Sequence, residues 1–498
     1  LEQFRRLASE CGIDPHEDLH LGGPPVDNVS IDIEGERTLY RLALLSAVVG
    51  LGISWVCFRS IRLTFFVFFV AILAAGIGLA SVYAATQIDW TRAFEAAVAE
   101  GAEPGTSVVM IFLNGGIDGL NTIVPLPEYG IYADNRPGLA RVQGPSSGNQ
   151  VGLTPLANAG SFAWANVGIS GAGNNGDTKG FDTLWGNGDG SPGSDLAIFP
   201  STNYTPANRS HFDSRDYWFS GALEKSTTGW LGRWLDQYGS LDNPLQAISM
   251  GSRLSKQIRT LKAPVSAVRN LNGVEFKVNG VYSGHTRTTE QMAPVSAVKA
   301  GSSNEALKRA RDVYGRTVQV SRSLQALQGA PVAAGYLPGR LSRDLQLAAV
   351  LLGANLGTRI ITVDWGSFDT HGNQANSLDP QLSTLSRALA AFKDDLVGRG
   401  LGDKVLTVVF SEFGRRVKQN ATGTDHGNGG LMMAMGSRVN GGMSGDWPGL
   451  STLSRGDLRP TTDFRSVYGA IMTEWLGGDP NAVLPKGPFP GLPRKLIS

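Results

Sequence analysis

Between residues 107 and 435 the chain repeatedly makes short, unbroken apolar runs. The first is Ser107-Val-Val-Met-Ile-Phe-Leu113, and others are Leu196 to Phe199, Leu245 to Met250, Arg359 to Val363, Lys404 to Phe410 and Leu431 to Met435. A strand with one wet face would alternate apolar and polar residues. Runs without alternation predict strands buried on both faces, as in a parallel sheet covered by helices. Helical periodicity fills the gaps at Arg343 to Leu356, Leu382 to Leu396 and Phe464 to Trp475. The expectation is an α/β fold with a mostly parallel sheet flanked by helices, and a site at the C-terminal ends of its strands. Residues 140–195 and 251–300, rich in Gly, Ser and Asn, are expected to form loops, insertions or a small accessory subdomain.

Two longer apolar stretches stand apart near the N-terminal end, Leu42 to Phe58 and Leu63 to Ala85, separated by Arg59-Ser-Ile-Arg62. Each lacks internal charge and approaches the length that spans a hydrocarbon core of roughly 30 Å. Buried core helices are the plain alternative, but Phe65-Phe-Val-Phe-Phe-Val70 offers no polar face. A transmembrane hairpin over residues 41–85 is therefore expected. Its arginine-bearing turn lies in the cytoplasm by the positive-inside rule, which puts both flanks outside. Reading the second stretch as a signal cleaved after Val82-Tyr-Ala84 exports the remainder as well. The expected division is a polar segment 1–40, two transmembrane helices 41–85, a linker 86–104 and one domain 105–498.

A formal net charge of +1 with 17% charged residues argues against a nucleic-acid partner. Cys11 and Cys57 are the only cysteines, so the C-terminal part has no thiolate with which to bind metal. Imidazole and carboxylate remain, and of six histidines three fall in short clusters at or near the ends of the apolar runs. Asn114-Gly-Gly-Ile-Asp118 offers a carboxylate that reads as a metal ligand or as an Asx turn. Asp364 to Gly372 offers Asp369 and His371, a ligand pair or a surface hydrogen bond. Ser411-Glu412-Phe-Gly-Arg415 places Glu412 at the end of a buried strand, which requires a cation or an arginine such as Arg415. Thr424-Asp425-His426-Gly427 adds another carboxylate and imidazole. In Asn208-Arg209-Ser210-His-Phe212, Ser210 reads as a helix N-cap or as a nucleophile set among free N–H groups, with Arg209 able to clamp a tetrahedral anion. Together these clusters point to a metal-assisted hydrolase.

Taken in order, Gly115 to Pro125, Arg136-Pro137, Asn208 to Phe212, Gly229-Trp-Leu-Gly-Arg233, Phe368 to Gln374, Ser411 to Arg416 and Gly423 to Gly427 resemble the bacterial DUF1501 family. That family belongs with sulfatases and alkaline phosphatases in one superfamily. The resemblance implies an alkaline-phosphatase-like domain over about residues 105–490 and an ester of phosphate or sulfate, on a small molecule or a polysaccharide, as substrate. It implies a divalent metal, zinc first, with manganese or calcium as the other candidates. Asp118 would be the first ligand, Asp369 and His371 a ligand pair, His426 a late ligand and Ser210 the nucleophile. Glu412 and Asp425 complete the expected set, with Arg209 or Arg415 offsetting charge on the substrate oxygens. Ser411-Glu412 departs from the Asp-His pair usual in the superfamily, which favours as alternative a catalytically inactive binding or scaffold domain. The twin-arginine signal common in the family is also absent. Residues 1–85 instead resemble a fragment of a bacterial MMPL-type transporter, through Gly22 to Asn28, Glu34 to Arg37 and Cys57 to Thr64. Anchoring in a bacterial inner membrane follows, with the C-terminal domain in the periplasm or outside the cell.

Overall fold

The computed structural model describes residues 105–171, 179–189, 191, 193–241, 243–271, 320–321 and 323–498. The expected polar segment, transmembrane hairpin, transporter-like fragment and linker, residues 1–104, lie outside the described residues. Among the described residues no helix is long and apolar enough to cross a membrane. The chain divides into two compact units, residues 90–270 with 329–498, and residues 1–89 with 271–328. Of the second unit only residues 271, 320–321 and 323–328 are described, a fragment that includes the buried Leu324.

In the first unit the strands are β1 (Ser107–Leu113), β2 (Ile123–Pro125), β3 (Val142–Gln143), β4 (Gly152–Leu156), β5 (Ala159–Ala165), β6 (Leu196–Asn203), β7 (Ala247–Met250), β8 (Ser266–Val268), β9 (Ile360–Trp365), β10 (Val405–Phe410), β11 (Gly430–Met435), β12 (Gly442–Met443) and β13 (Thr462–Asp463). Nine of them form one sheet in the order β12-β6-β11-β10-β1-β9-β7-β8, with β13 also beside β6. β1 lies at its centre, parallel to β10 on one side and β9 on the other, with Phe112 opposite Phe410 and Asp364. The mostly parallel expectation holds with one correction. β11, expected to be parallel like the rest, runs antiparallel to both β10 and β6. A run buried on both faces carries no mark of its direction. Here the chain leaves β10 and enters β11 at the same end of the sheet, without a crossover helix. Of the two Gly-, Ser- and Asn-rich regions, 140–195 supplies β3, β4 and β5, which join β2 in a four-stranded sheet β2-β5-β4-β3, while 272–300 lies outside the described residues.

Five helices cover the sheet and position its loops: α1 (His211–Ser220), α2 (Trp230–Tyr238), α3 (Arg340–Gly353), α4 (Gln374–Gly398) and α5 (Phe464–Ile471). Every residue of β1 is buried, so both faces of the sheet are covered. Val108, Met110 and Phe112 enter a core shared with Trp218 and Phe219 of α1, Trp230 and Trp234 of α2, and Phe464 and Tyr468 of α5. The Trp218 ring stacks on Phe464 at 4.3 Å and on Phe410 at 5.4 Å, which ties the last turn of α1 to β10 and α5. Such ring pairs add about 0.5–1.5 kcal/mol each beyond the area they bury. α3 packs on α4 and on β9. The helical pattern expected over Leu382 to Leu396 is the inner part of α4, which starts at Gln374 and holds Pro380 inside it. That earlier start brings Gln374 into the loops after β9.

Candidate metal centre

The loops after β1, β6, β9 and β10 meet at the C-terminal edge of the sheet, where open α/β sheets build their sites. Gly115, just beyond β1, has φ +111°, and a Cβ there would sit 2.4 Å from the Asp369 backbone nitrogen. Only glycine lets the β1 loop lie this close to the β9 loop. The loop from β10 to β11 folds back on itself, with Arg415 and His426 bridged in antiparallel fashion. That hairpin returns His426 to the sheet edge, and a backbone bond from Thr424 N–H to Thr370 O (3.0 Å) fixes it to the β9 loop.

Three imidazoles converge on one carboxylate. His371 Nε2 and His426 Nε2 are 2.8 Å apart, and Asp369 Oδ1 lies 2.9 Å from the first and 3.1 Å from the second. His211, the first residue of α1, points its Nε2 at Asp369 Oδ2 from 3.3 Å, buried and without hydrogen-bond geometry. The other ring nitrogen of each histidine faces an oxygen behind it, hydrogen-bonded in His211 and His426. His211 Nδ1 meets Glu412 Oε1 at 2.7 Å, His426 Nδ1 meets the Arg209 carbonyl at 2.8 Å, and His371 Nδ1 lies 3.5 Å from Asp425 Oδ1. A carbonyl or carboxylate only accepts, so Nδ1 of His211 and of His426 carries the proton, and in the neutral ring Nε2 keeps its lone pair. In the neutral rings the Nε2 lone pairs of His211 and His426 then face the Asp369 carboxylate, an arrangement that a proton or a metal cation among them relieves. Among the described residues, His211, Asp369 and His426, and likewise His371, Asp425 and His426, can present ligand atoms within 4.8 Å of one another. The sides of the His371–His426–Asp369 triangle are close to the edge of about 3.3 Å expected for ligands about 2.0–2.1 Å from a tetrahedral zinc ion.

Electrostatics support the same picture. Partial burial pushes Asp369 up, but the Arg415 hydrogen bond and charge, with His211 and His371, outweigh it and hold the carboxyl at about 2. The Glu412 hydrogen bond raises His211, against its desolvation and together with the charges of Glu412 and Asp369.

Of the expected site residues, Asp369, His371 and His426 come together, with Asp425 at their edge. Glu412 stands one step back. Its buried carboxylate takes the N–H of Gly115 (3.0 Å) and of Gly116 (3.2 Å) and orients His211. Arg415 is buried behind Asp369 (2.7 Å), and its remaining N–H groups go to the carbonyls of Gly115, Gly116, Phe368 and Thr424. Arg209 lends its carbonyl to His426 while its half-exposed guanidinium pairs with Asp457. Ser210 caps α1 beside His211, its hydroxyl accepting from Asp213 N–H at 3.4 Å. Asp118 lies apart. Its carboxylate pairs with the buried Arg136 at 2.5 Å and accepts from Asn121 N–H. His211 was missed as a site residue because the serine beside it drew the reading of that cluster; its place at the first turn of a helix entered from a buried strand was the available signal.

The family described as "Protein of unknown function (DUF1501)" matches residues 203–466, more than half of the 498-residue chain. The chain belongs to the DUF1501 family. The matched span holds every residue of this DUF1501 centre from Arg209 to His426. No curated protein matches the chain by sequence. Among solved structures, a mutant of the alkaline phosphatase PafA is 10% identical over 64% of this chain and 64% of that one, with a TM-score of 0.27. A protein in the alkaline phosphatase superfamily from Vibrio parahaemolyticus is 10% identical over 70% of this chain and 69% of that one, with a TM-score of 0.26. The chain spans 64% of the length of the first. Similarity this weak bears no weight in the chemistry of the centre.

Proposed function

We propose that His211, Asp369, His371 and His426 hold a divalent metal ion, zinc first, and that the centre hydrolyses a phosphate or sulfate ester. The observation that carries the reading is the convergence of the Nε2 atoms of the three histidines on Asp369 while each Nδ1 faces an oxygen behind it. When bound, such an ion polarises an ester oxygen and lowers the pKa of a hydroxyl or water. Ser210 occupies the nucleophile position, next to His211 at the N-terminus of α1, where free N–H groups and the helix dipole favour a tetrahedral anion. Arg209 is the arginine with donors left for substrate oxygens, because those of Arg415 go to Asp369 and backbone carbonyls. Export and anchoring through residues 41–85 belong to the same reading, on the charge argument from Arg59 and Arg62.

Metal-stripped protein titrated with zinc, manganese and calcium in a calorimeter, then assayed on aryl phosphates and aryl sulfates, tests it. Zinc binding that is lost in His211→Ala and His426→Ala, with turnover lost in Ser210→Ala, supports the hydrolase. A binding or scaffold domain is the second reading, favoured by Glu412, whose carboxylate is spent on backbone N–H groups and His211. Metal bound tightly without turnover of either ester selects that reading. No binding of any of the three ions removes the hydrolase.

A further inference from the structure

Behind the histidines lies a fully buried polar group that neither metal binding nor ester hydrolysis uses directly. Gln374, the first residue of α4, is 0% exposed. Its Oε1 accepts from the hydroxyls of Thr370 (3.0 Å) and Thr424 (2.6 Å), and its Nε2 donates to Asp118 Oδ2 (2.5 Å). The orientation of the amide follows from chemistry. A carboxylate bonded to Arg136 can only accept, so the nitrogen must face Asp118, and the oxygen is left for two hydroxyls that each spend their single proton on it. Thr370 sits between Asp369 and His371, and Thr424 directly precedes Asp425 and His426. Asp118 is anchored in turn by Arg136, which also donates to the carbonyls of Arg416 and Val417. One amide therefore ties both ligand-bearing loops to Asp118 in the β1 loop and, through it, to the buried Arg136.

We infer that Gln374 is the positioning residue of the centre: it sets the spacing of Asp369 and His371 against His426, and the Asp118–Arg136 pair is its anchor. The inference rests on the proposed metal site for its ligand, but not for its geometry. Both loops are already joined by backbone bonds, Thr424 N–H to Thr370 O and Gln374 N–H to Thr422 O (2.9 Å). The β9 loop is also tied to the end of β1 by Phe368 N–H to Asn114 O (2.8 Å), and the amide adds a side-chain link from both loops to Asp118. A partly satisfied buried network loosens more than its own bonds, which makes a single residue decisive here.

The experiment compares wild type, Gln374→Ala, Gln374→Glu and Leu351→Ala by zinc titration at 25 °C and by amide hydrogen exchange of the metal-free proteins. Leu351 is buried near the end of α3 that leads to the start of β9, at the opposite edge of the sheet from the centre, and serves as a general destabiliser. Gln374→Ala is expected to weaken zinc binding about 10–100-fold, as loss of an outer partner does in metal sites, and to speed exchange of the Thr424 amide. Gln374→Glu keeps an oxygen for both threonines but turns an acceptor toward Asp118, so it should weaken binding as much as Gln374→Ala. Leu351→Ala should lower the melting temperature without moving the zinc Kd. An unchanged Kd in Gln374→Ala, or a loss that Leu351→Ala matches, overturns the inference; a wild-type Kd in Gln374→Glu overturns the Asp118 anchor. Should wild type bind no zinc, the exchange rates alone decide whether Gln374 holds the loops, while the proposed function then stands or falls on manganese and calcium.

Discussion

Replacing Glu412 by Gln changes one atom and removes one charge, and its surroundings fix the outcome. Three donors point at this buried side chain: the N–H groups of Gly115 and Gly116 and Nδ1 of His211. A carboxylate accepts from all three, whereas an amide has one oxygen and one NH2. With its oxygen toward the glycines, the NH2 meets Nδ1–H of His211, and the ring must move its proton to Nε2, where the lone pair is needed for metal. With its oxygen toward His211, the NH2 faces the N–H of Gly116. Either way a charge-assisted bond, about 1.5–3 kcal/mol, is lost and one buried donor, about 1–3 kcal/mol, is left unpaired. Removing the buried charge recovers part of this, so metal-free Glu412→Gln should be about 2–4 kcal/mol less stable in urea, with an unchanged m-value. His211 adds a pH signature. Its pKa is raised in the folded state, so the stability it contributes is fully present below its ordinary value near 6.5 and fades as pH rises through the folded value. The gap between wild type and variant should be widest below about pH 6.5 and narrow above it. A gap under about 0.5 kcal/mol, or one that does not change between pH 5 and 9, refutes the reasoning.

Gly115→Ala, strained at φ +111° and pressed against the Asp369 backbone, should cost at least about 2 kcal/mol and displace the Asp369 loop, seen as a drop in both melting temperature and zinc affinity. Asp118→Ala strands Arg136 in the core and should cost about 3–5 kcal/mol by urea denaturation, while leaving zinc stoichiometry at saturation unchanged; a lost equivalent of zinc would mean that Asp118 is a ligand after all. Zinc at a hundred times its Kd should stabilise the folded state by about 2.7 kcal/mol, measured by calorimetry, and a chelator should reverse the shift.

Much of the architecture could be read from the chain alone, for a simple reason. A strand covered on both faces must be apolar throughout, so β1, β9 and β10 announced themselves and so did the helices between them. The same uniformity hid the direction of β11, since direction is a property of the connection and not of the strand. The first turns of α4, before Leu382, carry Pro380 and little apolar periodicity, so the pattern showed the helix but not its start at Gln374. At the site, sequence spacing identified which residue types gather at strand ends, and Asp369, His371 and His426 indeed meet there.

Tertiary structure alone assigned the partners. Glu412 reaches the Gly115 N–H across 297 positions of sequence, and Gln374 reaches Asp118 across 256. Which carboxylate faces an imidazole and which an arginine is decided by how β1, β9 and β10 are aligned and by the hairpin that carries His426 back to the sheet edge. Local sequence states that Asp118, Glu412, Asp369 and Asp425 are carboxylates near strand ends; it cannot rank them, because each would gain from a cation. The fold ranks them by giving Arg136 to Asp118 and two glycine N–H groups to Glu412, and by turning Asp369 toward the histidines.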